Sequence, residues 1–246
     1  MKYLISFLFL ALAFSMKSEA KVTLPSILGD NMVLQQQAEV KLWGKARPNA
    51  TVTVKTSWNG QTYKFSSDGK GGWSLTVSTP VAGGPYKIIF NDGELLTLQN
   101  VLIGEVWFCS GQSNMEMPMG CFDRQPVRGA NDIIAKAKPS TPIRMYTTDS
   151  KDGRWVRQFS KTPAEDCQGE WLENTPVNVS HISAVSYYFA RYIQEVLEVP
   201  VGIVVSTWGG SRIEAWMSRE SIKPFSSIDL SILDNDAEVK NTTATP

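Results

Sequence analysis

The sequence of 246 residues is poor in histidine, in cysteine and in net charge. It contains one histidine, His181, three cysteines, and equal numbers of basic and acidic side chains, so its formal net charge is zero. Nucleic acids and anionic membrane surfaces favour partners with clustered positive charge. The equal numbers of basic and acidic side chains therefore argue against a nucleic-acid partner and against binding to an anionic membrane. A single imidazole and cysteines without metal-ligand spacing argue against a zinc site. We therefore predict no metal and no organic cofactor.

Long apolar runs are also scarce. The run YLISFLFLALAF follows Met1 and Lys2 and is too short to span a bilayer comfortably. Ser18 and Ala20 then supply small residues where a signal peptide would be cleaved. We predict a signal peptide over residues 1–20, export to the periplasm or the exterior, and a mature chain without a membrane-spanning segment.

Three cysteines are an odd number for an exported protein, so at most one internal disulfide can form. Cys109 ends an apolar strand, and this position predicts a buried thiol. Cys121 and Cys167 remain as the pair to test for a disulfide.

Residues 21–100 have the pattern of an all-β region. ATVTVKTSWNGQTYKFS alternates on both sides of Asn59-Gly60, a pair that two-residue hairpin turns prefer. Several short strands at this spacing predict a small sandwich-like domain over residues 21–100.

Strands and helices alternate after residue 100. VLIGEVWFC is typical of a parallel strand buried on both faces, and PIRMYTT and VGIVVSTW are further strands. NDIIAKAKPS, SHISAVSYYFARYIQEVLEV and IEAWMSRE predict helices, the long one with Ser180 as its N-cap. The long helix has one apolar face, formed by Ile182, Val185, Phe189, Tyr192, Ile193, Val196 and Leu197. This alternation predicts an α/β domain with a parallel sheet over residues 101–246.

The segment SGQSNM contains Ser113 directly after the first of these strands. Small polar residues are typical of a plain turn. A hydrolase also needs a serine on a sharp turn after a strand, with donors in place for the oxyanion of the attacked carbonyl. The six residues alone leave both interpretations open.

The segment STWGGSRIEAW follows another strand of the same set. Gly209 and Gly210 free the backbone to point an N–H group inward, and Arg212 or Trp216 could line a polar cleft. The alternative is a strand-to-helix turn in which the glycines serve geometry alone. Because ligands bind beyond the carboxyl ends of parallel strands, we expect this loop and that of Ser113 at one edge of the sheet.

These segments occur in a specific order along the chain, namely LPSILGDNMVLQQ, VKLWGKA, GEVWFCSGQSNMEMPM, SAVSYYFARYIQ and VPVGIVVSTWGGSRIEAWMS. The series resembles the sialate O-acetylesterases, secreted serine esterases of the SGNH-hydrolase superfamily. The resemblance covers about residues 24–220 and implies a flavodoxin-like esterase domain beside a small β-sandwich-like domain.

The resemblance also implies roles for individual residues. Ser113 matches the nucleophile, and Gly210, or alternatively Gly209, matches the oxyanion-hole residue whose N–H acts with that of Ser113. Gln112 and Asn114 flank the nucleophile and would orient the loop or the substrate. The implied substrate is O-acetylated sialic acid, and an acetylated xylan or another acetylated glycan is the alternative within the enzyme class.

Two blocks that the family carries have no match after Glu220. They are a Gln-Gly-Glu segment with a following Asn, and an Asp-x-x-His-like segment that holds the general base. We therefore expect a chain truncated at its C-terminus that is inactive alone, or one completed by a second polypeptide. His181 is expected as a solvent-facing or capping residue at a helix start, and Glu116 as the capping-box partner of Ser113.

A function of another class stays open beside the esterase. The predicted β-domain and the eight tryptophans would also suit a glycan-binding module without catalysis, since flat aromatic rings stack on sugar faces.

Overall fold

The computed structural model describes residues 22–151, 154–155, 164–228 and 230–231. The strands are β1 (Val33–Gln35), β2 (Glu39–Lys45), β3 (Thr51–Thr56), β4 (Thr62–Ser66), β5 (Gly72–Ser78), β6 (Gly83–Asn91), β7 (Leu95–Gly111), β8 (Ile143–Thr147), β9 (Ser150–Lys151), β10 (Arg154–Trp155), β11 (Trp171–Glu173) and β12 (Val201–Thr207). The helices are α1 (Ser113–Glu116), α2 (Ala130–Lys136), α3 (Pro176–His181), α4 (Ala184–Leu197) and α5 (Arg219–Ile222), with a 3-10 turn at Ile213–Trp216. The predicted signal peptide lies outside the described residues.

One large sheet runs through most of the described chain, in the order β11-β8-β12-β7-β6-β3-β4, with β1 paired to β7 beside this path. The strands β8, β12 and β7 are parallel to one another, whereas β6, β3 and β4 continue the sheet in antiparallel fashion. The molecule is therefore a mixed α/β structure with a large central sheet, as the alternation of patterns after residue 100 predicts.

Strand β7 joins the two halves of this sheet because it is 17 residues long. Its first part pairs with β6 and β1, and its last part, from Glu105 to Gly111, pairs with β12. The boundary predicted at residues 100/101 falls within this strand. A separate all-β domain before it therefore stays a prediction.

The antiparallel half has a closed apolar core. The strands β2 and β5 form a two-stranded sheet of their own, and their side chains share the core with those of the large sheet. Leu42 and Val77 come from the small sheet, and Val52, Val54 and Phe90 from the large one, and all five are fully buried. Alternating β-branched and aromatic residues place one face of each strand in this core.

The hairpin predicted at Asn59-Gly60 is present between β3 and β4, but its loop is longer than two residues. The last paired residues are Lys55 and Thr62. Gly60 has φ +68°, and the Asn59 side chain accepts a hydrogen bond from the N–H of Gln61 at 3.0 Å. The turn therefore forms at the position that the sequence predicts, but its loop is longer than the predicted two residues.

The long helix begins later than predicted. Ser183, not Ser180, is the N-cap of α4, and its side chain accepts a hydrogen bond from the N–H of Ser186. The chain before it forms the separate helix α3, which Thr175 caps with Pro176 at its first position. Ser180 lies inside α3, where its hydroxyl donates to the carbonyl of Val177.

The apolar face of α4 is largely exposed in the described part of the chain. Ala184, Tyr187 and Ala190 are buried against the sheet, whereas the exposed apolar residues of the helix are Val185, Phe189, Tyr192, Val196 and Leu197. Ala184 and Ala190 let the helix approach the sheet closely, and Tyr187 packs in the same core. Of the predicted apolar face, Ile182 and Ile193 also contact this core, whereas most of the other residues are exposed.

The end of β7 is open on one edge and on one face. Beyond Gly104 it pairs only with β12 among the described residues, and the side chain of Gln35 accepts from the N–H of Val106 where pairing with β1 ends. Trp107 packs edge-on against Phe189 of α4, but Phe108 on the opposite face is 68% exposed. The expectation of a strand covered on both faces is therefore wrong at Phe108.

Cys121 and Cys167, the pair named for testing, form no disulfide, because all three cysteines are free. The Cys167 sulfur lies 3.3 Å from the hydroxyl oxygen of Tyr146 and packs beside the core of the antiparallel half. Cys121 is exposed in a turn with φ +69°. Cys109 is buried, as predicted.

Within the described ranges, no helix has both the length and the apolar character needed to cross a membrane.

Candidate functional site

Ser113 lies immediately beyond the carboxyl end of β7, as the first residue of α1. The strand ends at Gly111, whose φ is +154°, and a Cβ atom there would lie 2.8 Å from Cγ of Met115. Only glycine fits this tight approach without a shift of the following turn. Gln112, Ser113 and Asn114 are all exposed, so the turn presents the serine to solvent.

The loop after β12 lies against the Ser113 turn. The two strands are in parallel register up to the pair Gly111 and Thr207, so both loops leave the same edge of the sheet. The N–H of Trp208 donates to the carbonyl of Gly111 at 3.0 Å. A Cβ atom on Gly209 would lie 3.3 Å from Oγ of Ser113, so glycine permits this close contact. The structure thus brings together the two loops that the sequence singles out.

Glu116 connects these two loops through its side chain. Its carboxylate oxygen Oε2 accepts a hydrogen bond from the backbone N–H of Gly209. The capping-box role predicted for Glu116 is wrong, because Gln112 is the N-cap of α1 and no side chain caps this helix. Since the helix starts at Ser113, Glu116 is its fourth residue, and its side chain reaches the neighbouring loop instead.

Gly210 differs from Gly209 in its surroundings. Its φ is +75°, and a Cβ atom built on it would have no neighbour within 4 Å. The residue is exposed, and its N–H makes no hydrogen bond within the described residues. Of the two glycine N–H groups, that of Gly209 is engaged by Glu116, and that of Gly210 is available to a ligand.

Arg212 and Trp216 lie further along the same loop. The Trp216 ring N–H donates to Oγ of Ser211 at 2.8 Å, and that hydroxyl donates to the carbonyl of Trp208 at 2.7 Å. These bonds fold the loop back on itself. Arg212 is exposed, and neither of the two predicted cleft residues hydrogen-bonds Ser113 in the described structure. The helix expected over IEAWMSRE is instead a 3-10 turn followed by α5, because Ser218 caps a new helix.

A third segment supports the Ser113 turn from behind, and sequence reasoning missed it. The chain after α1 pairs with the junction of α3 and α4, where the N–H of Ala184 donates to the carbonyl of Met117 at 2.8 Å. The N–H of Met119 donates to the carbonyl of Ile182, also at 2.8 Å. No local pattern signals these contacts, because they join residues more than sixty positions apart in the chain.

His181 is the last residue of α3, not the first of the long helix as expected. Its side chain is exposed, and no hydrogen bond joins it to Ser113 among the described residues. The interpretation that it is not the base stays a prediction, and the described residues supply no other imidazole.

Cys109 is a further nucleophilic side chain near this edge, two positions before Gly111. Burial raises the pKa of its thiol, and a smaller opposing effect comes from a hydrogen bond with Ser186. A buried thiol with a raised pKa is a poor nucleophile at neutral pH. The exposed hydroxyl of Ser113 is the accessible one.

A metal centre is not indicated in the part of the chain that the structure describes. No group of three or more His, Cys, Asp or Glu side chains there could hold a metal ion. The geometry at Ser113 offers a hydroxyl, backbone N–H groups and a carboxylate, which suit acyl transfer.

Known proteins with a similar structure or sequence fit this arrangement. A carbohydrate acetylesterase from Xanthomonas citri superposes on 92% of this chain and 46% of its own, with a TM-score of 0.72 and 33% sequence identity. No protein-family model matches the chain.

The curated relatives are sialate O-acetylesterases. Those of Homo sapiens and Pongo abelii are each 30% identical over 216 residues, which is 80% of this chain and 39% of theirs. That of Mus musculus is 29% identical over 213 residues. The chain therefore spans about two fifths of the length of the curated relatives it matches. The chain is thus similar in sequence to sialate O-acetylesterases and in structure to a carbohydrate acetylesterase.

Proposed function

We propose that this chain acts in an exported carbohydrate O-acetylesterase and that Ser113 is its nucleophile. The observation that carries the proposal is the contact between the exposed Ser113 and the Gly209-Gly210 loop at the carboxyl edge of the parallel strands. The similarity to sialate and carbohydrate acetylesterases supports the reaction class.

The proposed reaction has two steps. In the first, Oγ of Ser113 bonds to the acetyl carbonyl carbon while the bond from that carbon to the sugar oxygen breaks, and the serine proton ends on the sugar hydroxyl. In the second, the oxygen of water bonds to the acetyl carbon while the bond to Oγ of Ser113 breaks; one water proton restores the serine hydroxyl, and acetate leaves with the other proton released to solvent. Each step passes through a tetrahedral oxyanion, which N–H groups stabilise when they are held in place beforehand.

The oxyanion donors proposed here are the backbone N–H groups of Ser113 and Gly210. The N–H of Gly210 is free of internal hydrogen bonds in the described chain, and the open space beside it leaves room for an acetyl oxygen. Exposed Gln112 and Asn114 would orient the loop or the sugar, and Arg212 and Trp216 would line the outer cleft. The proposal assigns no base to the described residues.

The proposed substrate is an O-acetylated sialic acid, with acetylated xylan or another acetylated glycan as the alternative. The curated relatives are sialate O-acetylesterases, and the similar Xanthomonas citri protein is a carbohydrate acetylesterase. Arg212 is an exposed cation on the loop beside Ser113, and a cation there would favour the carboxylate of sialic acid over a neutral xylan.

Export is proposed from the N-terminal sequence alone. The mass of the protein secreted or released from the periplasm tests it directly. A mature N-terminus at Lys21 supports the predicted cleavage, and a mass that includes Met1 overturns it.

The test of the esterase proposal is acetate release from O-acetylated sialic acid and from acetylated xylan by the chain purified together with any polypeptide that completes it. Ser113→Ala should abolish release from both, because no other hydroxyl occupies that turn. Ser110→Ala is the matched control, since Ser110 is an exposed serine three residues earlier that should not matter. Release that survives Ser113→Ala, or no release from either substrate, overturns the proposal.

A second candidate function is glycan binding without catalysis, and one observation favours it. Exposed Trp43 lies with Lys41 and Ser74 in a groove of about 780 Å³ along β2 and β5. An exposed aromatic ring beside hydroxyl and cationic groups suits a sugar face. Glycan binding lost in Trp43→Ala but kept in Ser113→Ala would favour this function.

A further inference from the structure

We infer that Glu116 is a positioning residue that holds the Gly209-Gly210 loop against Ser113 and thereby makes Gly210, not Gly209, the oxyanion donor. This inference rests on the proposed function of Ser113. It assigns a role to a carboxylate that the proposed reaction does not otherwise use.

The first support is the hydrogen bond itself. Oε2 of Glu116 accepts from the backbone N–H of Gly209, although 93 residues separate the two in sequence. Glu116 is half-buried and belongs to the same short helix as Ser113. The carboxylate therefore ties the loop to the element that carries the proposed nucleophile.

The second support is the closeness of the packing around Gly209. A Cβ atom there would lie 3.1 Å from Oε2 of Glu116 and 3.3 Å from Oγ of Ser113. Both side chains thus approach the same point of the loop backbone. The second tie between the loops, from the N–H of Trp208 to the carbonyl of Gly111, fixes only the start of the loop. Glu116 fixes the next peptide group.

The consequence concerns which N–H group meets the oxyanion. A donor that already bonds a carboxylate is occupied and lies next to a negative charge, so it stabilises a second anion poorly. With the N–H of Gly209 engaged, the next free group is that of Gly210, whose φ of +75° turns the backbone at that residue. Loss of Glu116 would let the loop move, and a displacement of about 1 Å can cost about 100-fold in rate.

The test compares Glu116→Leu with Glu116→Gln. Leucine keeps the size but removes the acceptor, so kcat should fall by about 10- to 100-fold with little change in KM. Glutamine keeps a carbonyl acceptor for the N–H of Gly209, so its kcat should stay close to that of the wild type. If the Glu116 carboxylate were instead the general base, both variants would lose it, and kcat would fall equally in both. Equal losses in the two variants, or an unchanged kcat in Glu116→Leu, would overturn the inference.

A second readout does not depend on activity. Amide hydrogen exchange at Gly209 should be slow in the wild type and in Glu116→Gln, and fast in Glu116→Leu. Glu195→Leu, at an exposed glutamate on α4, is the control and should change neither exchange at Gly209 nor kcat. If the wild type releases no acetate, the proposed function fails, but exchange at Gly209 still decides whether Glu116 holds the loop. Equal exchange in wild type and Glu116→Leu contradicts the inference.

Discussion

The two halves of the central sheet differ in how far their large apolar side chains are buried. In the antiparallel half, Phe90 and its neighbours on β3 and β6 are completely buried in a core shared with β2 and β5. In the parallel half, Phe108 on β7 is 68% exposed and Tyr192 on α4 is 67% exposed. Apolar patterns therefore identify the elements in both halves and the buried strands β8 and β12, but they do not identify the buried sides of α4 and of the end of β7.

The difference lies in what contacts the sheet. A second pair of strands covers the antiparallel half, whereas α4 contacts the parallel half through small residues such as Ala184 and Ala190. Tyr192 and Val196 of α4 are mostly exposed in the described chain, whereas Phe189 packs against Trp107 of β7. The loops that carry Ser113 and Gly209 lie at the edge of this less covered half, so their positions depend on hydrogen bonds such as those of Gly209 and Trp208.

The largest expected difference in stability is between two variants that each remove one phenylalanine, one from each half. Phe90→Ala should lower the free energy of unfolding by about 3–5 kcal/mol, because it empties a site in a closed core. Phe108→Ala should change it by less than about 0.5 kcal/mol, since the ring is mostly in solvent. Urea denaturation of the two variants measures both. A large loss for Phe108→Ala would mean that the face is covered in solution.

A smaller loss of stability is expected when the ion pair between β8 and β11 is broken. Nη2 of Arg144 lies 3.2 Å from Oε1 of Glu173, and the arginine side chain is 5% exposed. Glu173→Ala would leave a buried cation without its partner, at a cost of about 2 kcal/mol, below the usual range because Glu173 is partly solvated. Glu170→Ala, at an exposed position near β11, is the control for thermal unfolding. Equal melting temperatures for the two variants would contradict the pairing.

The smallest expected effect concerns the start of α4. Ser183→Ala removes the side-chain acceptor for the N–H of Ser186 and should cost about 1 kcal/mol. Ser180→Ala should cost less, because its hydroxyl serves an exposed carbonyl inside α3. Chemical denaturation of both variants distinguishes the two serines. A larger loss of unfolding free energy for Ser180→Ala than for Ser183→Ala would instead support Ser180 as the N-cap of the long helix, as the sequence predicts.

Sequence reasoning predicted the strands β7, β8 and β12 and both loops at their carboxyl ends, because buried parallel strands are nearly continuous apolar runs. It misplaced the start of α4 because Ser180 and Ser183 both fit an N-cap, and only the short helix capped by Thr175 decides between them. Local spacing suggested a capping box for Glu116. Its real partner, Gly209, is distant in sequence, and no local pattern could reveal a contact that depends on how the loops fold together.

The sequence also could not decide whether Cys121 and Cys167 form a disulfide, for a similar reason. Counting cysteines says nothing of distance, and Cys167 packs beside Tyr146 while Cys121 lies in an exposed turn. The roles of Ser113 and Gly210, and the division of the chain at residues 100/101, stay predictions.

The measurement that tests the central claim most directly is covalent trapping of the nucleophile. The purified protein is treated with a fluorophosphonate, which reacts with activated serines, and the modified peptide is identified by mass spectrometry. We predict one adduct, on Ser113, that O-acetylated sialic acid suppresses and Ser113→Ala eliminates. An adduct on another serine, or acetate release that continues with Ser113 unmodified, would contradict the account.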